Sequence, residues 1–93
     1  MLAVAVALVA AHLSATNAYR ASFDAKKTLD ERTAAASLAH QLEPWNSQFA
    51  TRAIVMQKWQ HAAVYLSQGA YLPAMQEYAD AYKLDVGDKE LLA

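Results

Sequence analysis

The sequence predicts an all-α fold, and three observations lead to that prediction. The 93 residues include only two glycines and two prolines, so few positions interrupt a helix. In the second half of the chain, apolar residues recur at intervals of three and four, which is the spacing along one face of a helix and not along a strand. The opening run, MLAVAVALVAAHL, is apolar except for His12 and indicates one further helix.

The composition excludes several classes of function. There are 8 basic and 9 acidic residues, which gives a net charge of −1 and no basic surface for nucleic acid. The absence of cysteine excludes disulfides, zinc ribbons and thiol catalysis. His12, His40 and His61 share no metal-ligand spacing, and no carboxylate pair, phosphate loop or nucleophile motif occurs. We therefore expect a non-enzymatic protein without a metal.

The apolar N-terminal segment predicts a transmembrane helix over residues 1–22. A membrane span needs about 20 mostly apolar residues, and the run from Met1 to Tyr19 just reaches that length. Tyr19 and Arg20 would then lie at the membrane interface. The alternatives are a secretory signal peptide, a buried helix of a soluble domain and a fragment of a larger membrane protein. The leading interpretation is a single-pass membrane protein whose N-terminal helix contacts the lipid bilayer.

His12 falls near the middle of the predicted span, and an ionisable residue at that depth is a functional candidate by default. A neutral imidazole could ligate a haem iron or the magnesium of a chlorophyll-type pigment. The alternative is that His12 forms a hydrogen bond with a neighbouring helix. No other residue suggests a cofactor, so we expect none unless His12 holds one.

Residues 23–93 predict a helical domain that begins with a capped helix. The first helix is expected to continue out of the membrane to about Lys27. Thr28 and Glu31 then match a capping box, in which each side chain bonds the backbone N–H of the other residue. The helix that follows should run to about Leu42, because Pro44 disfavours helix at the residue before it.

Two further helices follow in the predicted domain. Asn46 or Ser47 can cap a long helix that ends at about Gln68. Gly69 supplies the left-handed conformation that helix C-termini prefer. The last full helix is predicted over residues 72–84, with Pro73 in its first turn, and Asp88 is predicted to cap one more turn.

Small and aromatic residues recur at fixed spacing around the predicted turn at Gly69. The residues concerned are Ala62, Tyr65, Gly69, Tyr71, Ala74, Tyr78 and Ala81. This pattern resembles the tetratricopeptide repeat, an antiparallel helical hairpin whose small residues let the helices approach while aromatic residues fill the surrounding space. Segment 39–46 echoes segment 81–88, so the resemblance covers about one and a half repeats. Lys58, His61 and Val86 depart from the family pattern.

The resemblance implies a protein-binding surface on the first helix of the hairpin. Carried over to this chain, that surface comprises Met56, Trp59, Ala63 and Ser67. Trp59 is the expected anchor, because exposed tryptophan beside methionine is typical of an interface. The alternative is that Trp59 packs beneath its own long helix.

The sequence as a whole therefore predicts a membrane-anchored, tetratricopeptide-like scaffold or accessory subunit. Its partners would be protein subunits of a membrane complex, and the hairpin would lie outside the cytoplasm. One alternative is a small pigment- or haem-binding membrane subunit that uses His12. Another is a fragment of a larger polytopic envelope protein with a repeat tail.

Overall fold

The computed structural model describes residues 2–86. Four α-helices follow one another along the chain: α1 (Leu2–Ala21), α2 (Leu29–Leu42), α3 (Ser47–Ser67) and α4 (Tyr71–Val86). The described residues contain no strand, so the all-α prediction is confirmed. The helical turn predicted after Asp88 lies outside the described residues.

Each helix packs against the next one in the chain: α1 on α2, α2 on α3, and α3 on α4. The short connections make successive helices antiparallel, so the chain forms two stacked hairpins. The stack is elongated, with extents of 55 × 24 × 20 Å. The two end helices, α1 and α4, therefore each have one principal neighbour.

The predicted helix caps are confirmed. The hydroxyl of Thr28 accepts the Glu31 N–H at 3.1 Å, and the Glu31 carboxylate accepts the Thr28 N–H at 3.0 Å. The side chain of Asn46 accepts the N–H groups of Gln48 and Phe49 at the start of α3. These bonds satisfy backbone donors that have no partner within the helix.

The turn between α3 and α4 follows the predicted geometry. Gly69 has a φ of +73°, a conformation that side chains with a Cβ rarely adopt. The N–H of Ala70 then reaches back to the carbonyl of Tyr65 at 2.8 Å, which closes the end of α3. Tyr65 itself is half-buried beside this turn.

The first helix ends earlier than predicted. It stops at Ala21 and does not continue to Lys27. The Asp24 carboxylate accepts the Lys26 N–H at 3.0 Å, which holds a turn that competes with further helix. The carbonyl of Ser22 is directed to two arginine side chains, so the helix end is also held by tertiary contacts.

The predicted transmembrane helix over residues 1–22 is wrong. Within residues 2–86, no helix is both long enough and apolar enough to cross a membrane. The single-pass membrane location that followed from the span is wrong with it, and the placement of the hairpin outside the cytoplasm loses the span on which it was based. The reason lies in the second half of α1, where Asn17 and Arg20 interrupt the apolar run, while Ala15 and Ala18 pack into the protein core.

The core between α1, α2 and α3 is built from small residues around one aromatic ring. Ala15, Ala18 and Ala39 are buried together with Phe49, and Tyr19 packs against the cluster. Alanine on facing helices lets the two backbones approach closely, and the Phe49 ring fills the remaining space. This arrangement packs one face of the second half of α1 against the other helices.

Alanine also forms the contact between α3 and α4. Ala62, Ala74 and Ala81 are completely buried. Tyr71 and Tyr78 were expected to fill the space around them, but Tyr71 is 66% exposed and Tyr78 is 41% exposed. Both tyrosines are three or four residues from Ala74, so they border the packed face of α4 and leave much of each ring open to solvent.

The close approach of α3 and α4 can be tested by substitution. We expect Ala74→Leu and Ala81→Leu each to destabilise the fold by about 1–3 kcal/mol, because the added methylenes must displace a packed helix. Ala34→Leu on the exposed side of α2 is the matched control and should change stability by less than about 0.5 kcal/mol. Urea denaturation followed by circular dichroism measures all three. Equal shifts for the three variants would contradict the close approach.

Candidate functional site

The first half of α1 extends beyond the end of α2, and we call residues 4–13 the α1 arm. His12 of α1 contacts Glu43, which caps the end of α2. The residues of α1 before His12 therefore extend past α2 and do not pack against it. Ten helical residues span about 15 Å. The large side chains of the arm are 57–64% exposed: Val4, Val6, Leu8, Val9 and Leu13. A helix that is apolar on every face is normally covered by other apolar groups.

One face of the arm continues the packing face of α1. Val4, Leu8 and Ala11 lie in the same row along the helix as Ala15 and Ala18, because these positions recur at intervals of four and three. Ala15 and Ala18 are covered by the stack, whereas Val4 and Leu8 are exposed. The arm therefore presents the same kind of surface that α2 covers further along α1.

A groove of about 580 Å³ lies beside the arm, between α1 and the start of α3. Its lining combines aromatic, cationic and amide side chains: His12, Thr16, Tyr19, Arg20, Phe23, Asn46, Gln48 and Phe49. The rings of Tyr19 and Phe49 stack at 4.8 Å between centroids, and Phe23 meets Tyr19 edge-on at 5.1 Å. We call this cleft the α1–α3 groove.

The polar end of the groove is held by a side-chain hydrogen bond between His12 and Glu43. The Nδ1 atom of His12 lies 2.6 Å from Oε2 of Glu43, and the Asn46 amide donates to Oε1 at 3.2 Å. The hydrogen bond from His12, with a smaller contribution from Asn46, lowers the pKa of Glu43 although burial of the carboxylate opposes the shift. The side chain of His12 thus lies in a contact between two helices and not at the middle of a bilayer.

A buried arginine joins the end of α1 to α3. Arg52 donates to the Ser22 carbonyl at 2.9 Å and to the Ser22 hydroxyl at 3.1 Å, and its guanidinium lies 3.7 Å from the ring centre of Phe23. Arg32 of α2 donates to the same carbonyl at 2.8 Å. These contacts hold the back of the α1–α3 groove in place.

The structure separates the four predicted partner-binding residues. Met56 is fully buried in the core and offers no accessible surface, because α3 directs this position to the other helices. Trp59 is half-buried, with the guanidinium groups of Arg32 and Arg52 at 5.6 Å and 5.7 Å from its ring. Ala63 and Ser67 line a second cleft of about 420 Å³.

This second cleft lies between the start of α2 and the later part of α3. Leu29, Ala63 and Val64 supply its apolar lining. The amide of Gln60 donates to the carboxylate of Asp30 at 2.8 Å and bridges the two helices at its edge. The cleft therefore has a short apolar floor with a polar rim.

The sequence did not predict the α1–α3 groove, because a membrane span over residues 1–22 would have kept α1 away from α3. The regular recurrence of Ala11, Ala15, Ala18 and Ser22 could have revealed a helix face that packs on protein. Among the described residues, no group of three histidine, aspartate or glutamate side chains could hold a metal ion. The aromatic, amide and cationic side chains that line the α1–α3 groove suit it to recognition by stacking, hydrogen bonding and charge.

Comparisons with protein-family models, curated proteins and solved structures give no significant match to this chain.

The role of Arg52 can be tested by removing its charge and its donors. Arg52→Met should destabilise the fold by about 1–3 kcal/mol, because the buried oxygens of Ser22 lose hydrogen bonds. Arg20→Met, at an exposed position of α1, should cost less than about 0.5 kcal/mol. Urea denaturation measures both variants. An equally small effect of the two substitutions would contradict the role assigned to Arg52.

The hydrogen bond that Glu43 forms with His12 predicts a pH-dependent stability. The pKa of Glu43 in the folded chain lies below its ordinary value of 4.5, so the stabilisation is present above that value and is lost as the pH falls through the lowered pKa. Glu43→Gln should therefore lower the melting temperature at neutral pH. The difference from the unaltered chain should close in acid. A difference that stays constant across this pH range would contradict the prediction.

Proposed function

We propose that this protein is a non-enzymatic helical scaffold, or accessory subunit, that binds another protein through the α1 arm and the adjoining α1–α3 groove. The observation that carries the proposal is the α1 arm, where residues 4–13 expose apolar side chains on all sides of a helix. A patch of this kind on a folded protein is typical of a site that another protein covers.

The form of the arm favours a helical partner. The Val4 and Leu8 row extends the face that α2 covers further along α1, so a second helix can pack there as α2 does. Ala5, Ala7 and Ala10 lie between the larger side chains, and such small residues permit two helix backbones to approach. We therefore expect the partner to supply an apolar helix.

The α1–α3 groove begins where the arm ends. His12 and Thr16 form the near end of the groove, and the Tyr19–Phe49 stack forms its wall. A partner segment that leaves the arm can continue into this groove and meet Arg20 and Gln48. Aromatic and arginine side chains of this kind supply much of the binding energy in known interfaces.

The resemblance to tetratricopeptide repeats is part of the proposal. Two antiparallel hairpins in sequence, with alanines at the helix contacts, are the arrangement that such repeats use. In that arrangement the first helices of successive hairpins, here α1 and α3, line the binding surface. Trp59 and Ser67 of α3 stay predicted contributors on the same helix as the groove residues Gln48 and Phe49.

The proposal can be tested by photocrosslinking in cells that contain the full chain. A photoreactive amino acid at Val9 of the arm, or at Gln48 of the groove, should give a discrete adduct with the same partner protein. The matched control is Gln41, an exposed position on the last turn of α2. Adducts that are no stronger at Val9 and Gln48 than at Gln41 would contradict the proposal.

A second variant tests whether the arm provides the binding energy. Val6→Glu combined with Val9→Glu should reduce the yield of the Gln48 adduct at least tenfold, because two charges would have to be buried against the partner. Both side chains are exposed, so the fold itself should not change. Circular dichroism verifies that the variant remains folded. An unchanged yield would show that the groove binds without the arm.

A further inference from the structure

The outer face of α4 carries large apolar side chains that nothing in the described chain covers. Tyr71, Leu72, Met75, Tyr78 and Tyr82 are between 41% and 80% exposed. The adjoining face of the same helix, with Ala74 and Ala81, is packed on α3. The hairpin thus covers one apolar face of α4 and leaves the neighbouring apolar face exposed.

Two acidic residues of α4, Glu77 and Asp80, lie on the side of the helix that faces α3. Glu77 lies 3.9 Å from Nζ of Lys58 and 3.8 Å from Nδ1 of His61. Asp80 lies 3.9 Å from the same lysine nitrogen. A surface helix normally directs its charges to solvent and its apolar residues to the core. The exposed apolar face of α4 departs from that pattern and is typical of a surface that binds protein.

The exposed residues follow the spacing of a two-helix contact. Tyr71, Met75, Tyr78 and Tyr82 recur at intervals of four, three and four, which is the spacing of the a and d positions of a coiled coil. Leu72 and Ala79 flank this row on one side. We call the row Tyr71, Met75, Tyr78 and Tyr82 the α4 seam.

We infer that the α4 seam binds the α4 seam of a second copy of this chain, so that the protein forms a twofold-symmetric dimer with the two α4 helices antiparallel. The row is self-complementary when one helix is reversed: Tyr71 then meets Tyr82 of the second copy, and Met75 meets Tyr78. Antiparallel pairing also sets the helix dipoles in opposition and keeps the two Lys83 side chains at opposite ends.

The exposed area is sufficient for such a dimer. Taking about 200 Å² for each large side chain, the exposed fractions of the seam and Leu72 correspond to roughly 600 Å² of apolar surface on each copy. Stable interfaces bury about 600–1,000 Å² on each partner. Tyrosine is also among the residues enriched at the centre of such interfaces. The dimer does not involve the α1 arm, so the two proposals stand on different surfaces.

Analytical ultracentrifugation of the full chain tests the dimer. The unaltered protein should show twice the mass of the chain, and Met75→Glu should raise the dimer dissociation constant about 30-fold or more, as expected for a central interface residue. Gln76→Glu adds the same charge one position away and should change the constant less than about threefold. Both side chains are exposed, and circular dichroism verifies the fold of each variant.

Disulfide trapping tests the antiparallel register, since the chain contains no cysteine. A mixture of Tyr71→Cys and Tyr82→Cys chains should form a covalent dimer under mild oxidation. Either variant alone should not, because the two equivalent positions would lie about 16 Å apart along the helices, beyond the reach of a disulfide.

Three results would overturn the inference. The first is a monomer at every concentration of the unaltered chain. The second is a dimer that Val9→Glu dissociates and Met75→Glu does not, which would place the contact on the α1 arm. The third is covalent dimer from Tyr71→Cys alone, which would require parallel helices.

Discussion

The arrangement of the helices depends on the convergence of two arginines on Ser22, at the point where α1 ends. Arg52 donates to the carbonyl and hydroxyl of Ser22, and Arg32 donates to the same carbonyl. These bonds join the end of α1 to α2 and to α3 at once. Burying a charged guanidinium is costly unless its donors are satisfied, so the contact favours one relative position of the three helices. The direction of the α1 arm and the width of the α1–α3 groove follow from that position.

Many of the remaining contacts between helices are made by alanine, and several large apolar side chains lie outside. Ala15, Ala39, Ala62, Ala74 and Ala81 are completely buried where helices meet. Close contacts of this kind leave little room for larger side chains between the helices. A chain of this size also buries a smaller fraction of its surface than a larger domain does. The α1 arm and the α4 seam are therefore at opposite ends of the stack, and each is suited to a different partner.

The His12–Glu43 contact marks the boundary between the packed half of α1 and the α1 arm. A histidine within an apolar segment could ligate a cofactor or form a hydrogen bond with a neighbouring helix, and the sequence did not show a partner for it. The structure supplies a reason, because Glu43 lies 31 residues away and its carboxylate meets the His12 ring at 2.6 Å. The surroundings of Trp59 also depend on a residue distant in sequence. Arg32 of α2 lies at its ring, together with Arg52 of its own helix.

The sequence alone determined the features that depend on neighbours within a few residues. The Thr28–Glu31 capping box, the Asn46 cap and the left-handed Gly69 were predictable because their hydrogen bonds and backbone angles are local. The packing of the second half of α1 against protein was decided only by the tertiary structure. Hydropathy reports that a helix avoids water, and it does not report whether protein or lipid covers it. Likewise, Met56 is buried and Tyr71 is exposed because their surroundings are set by helices distant in sequence.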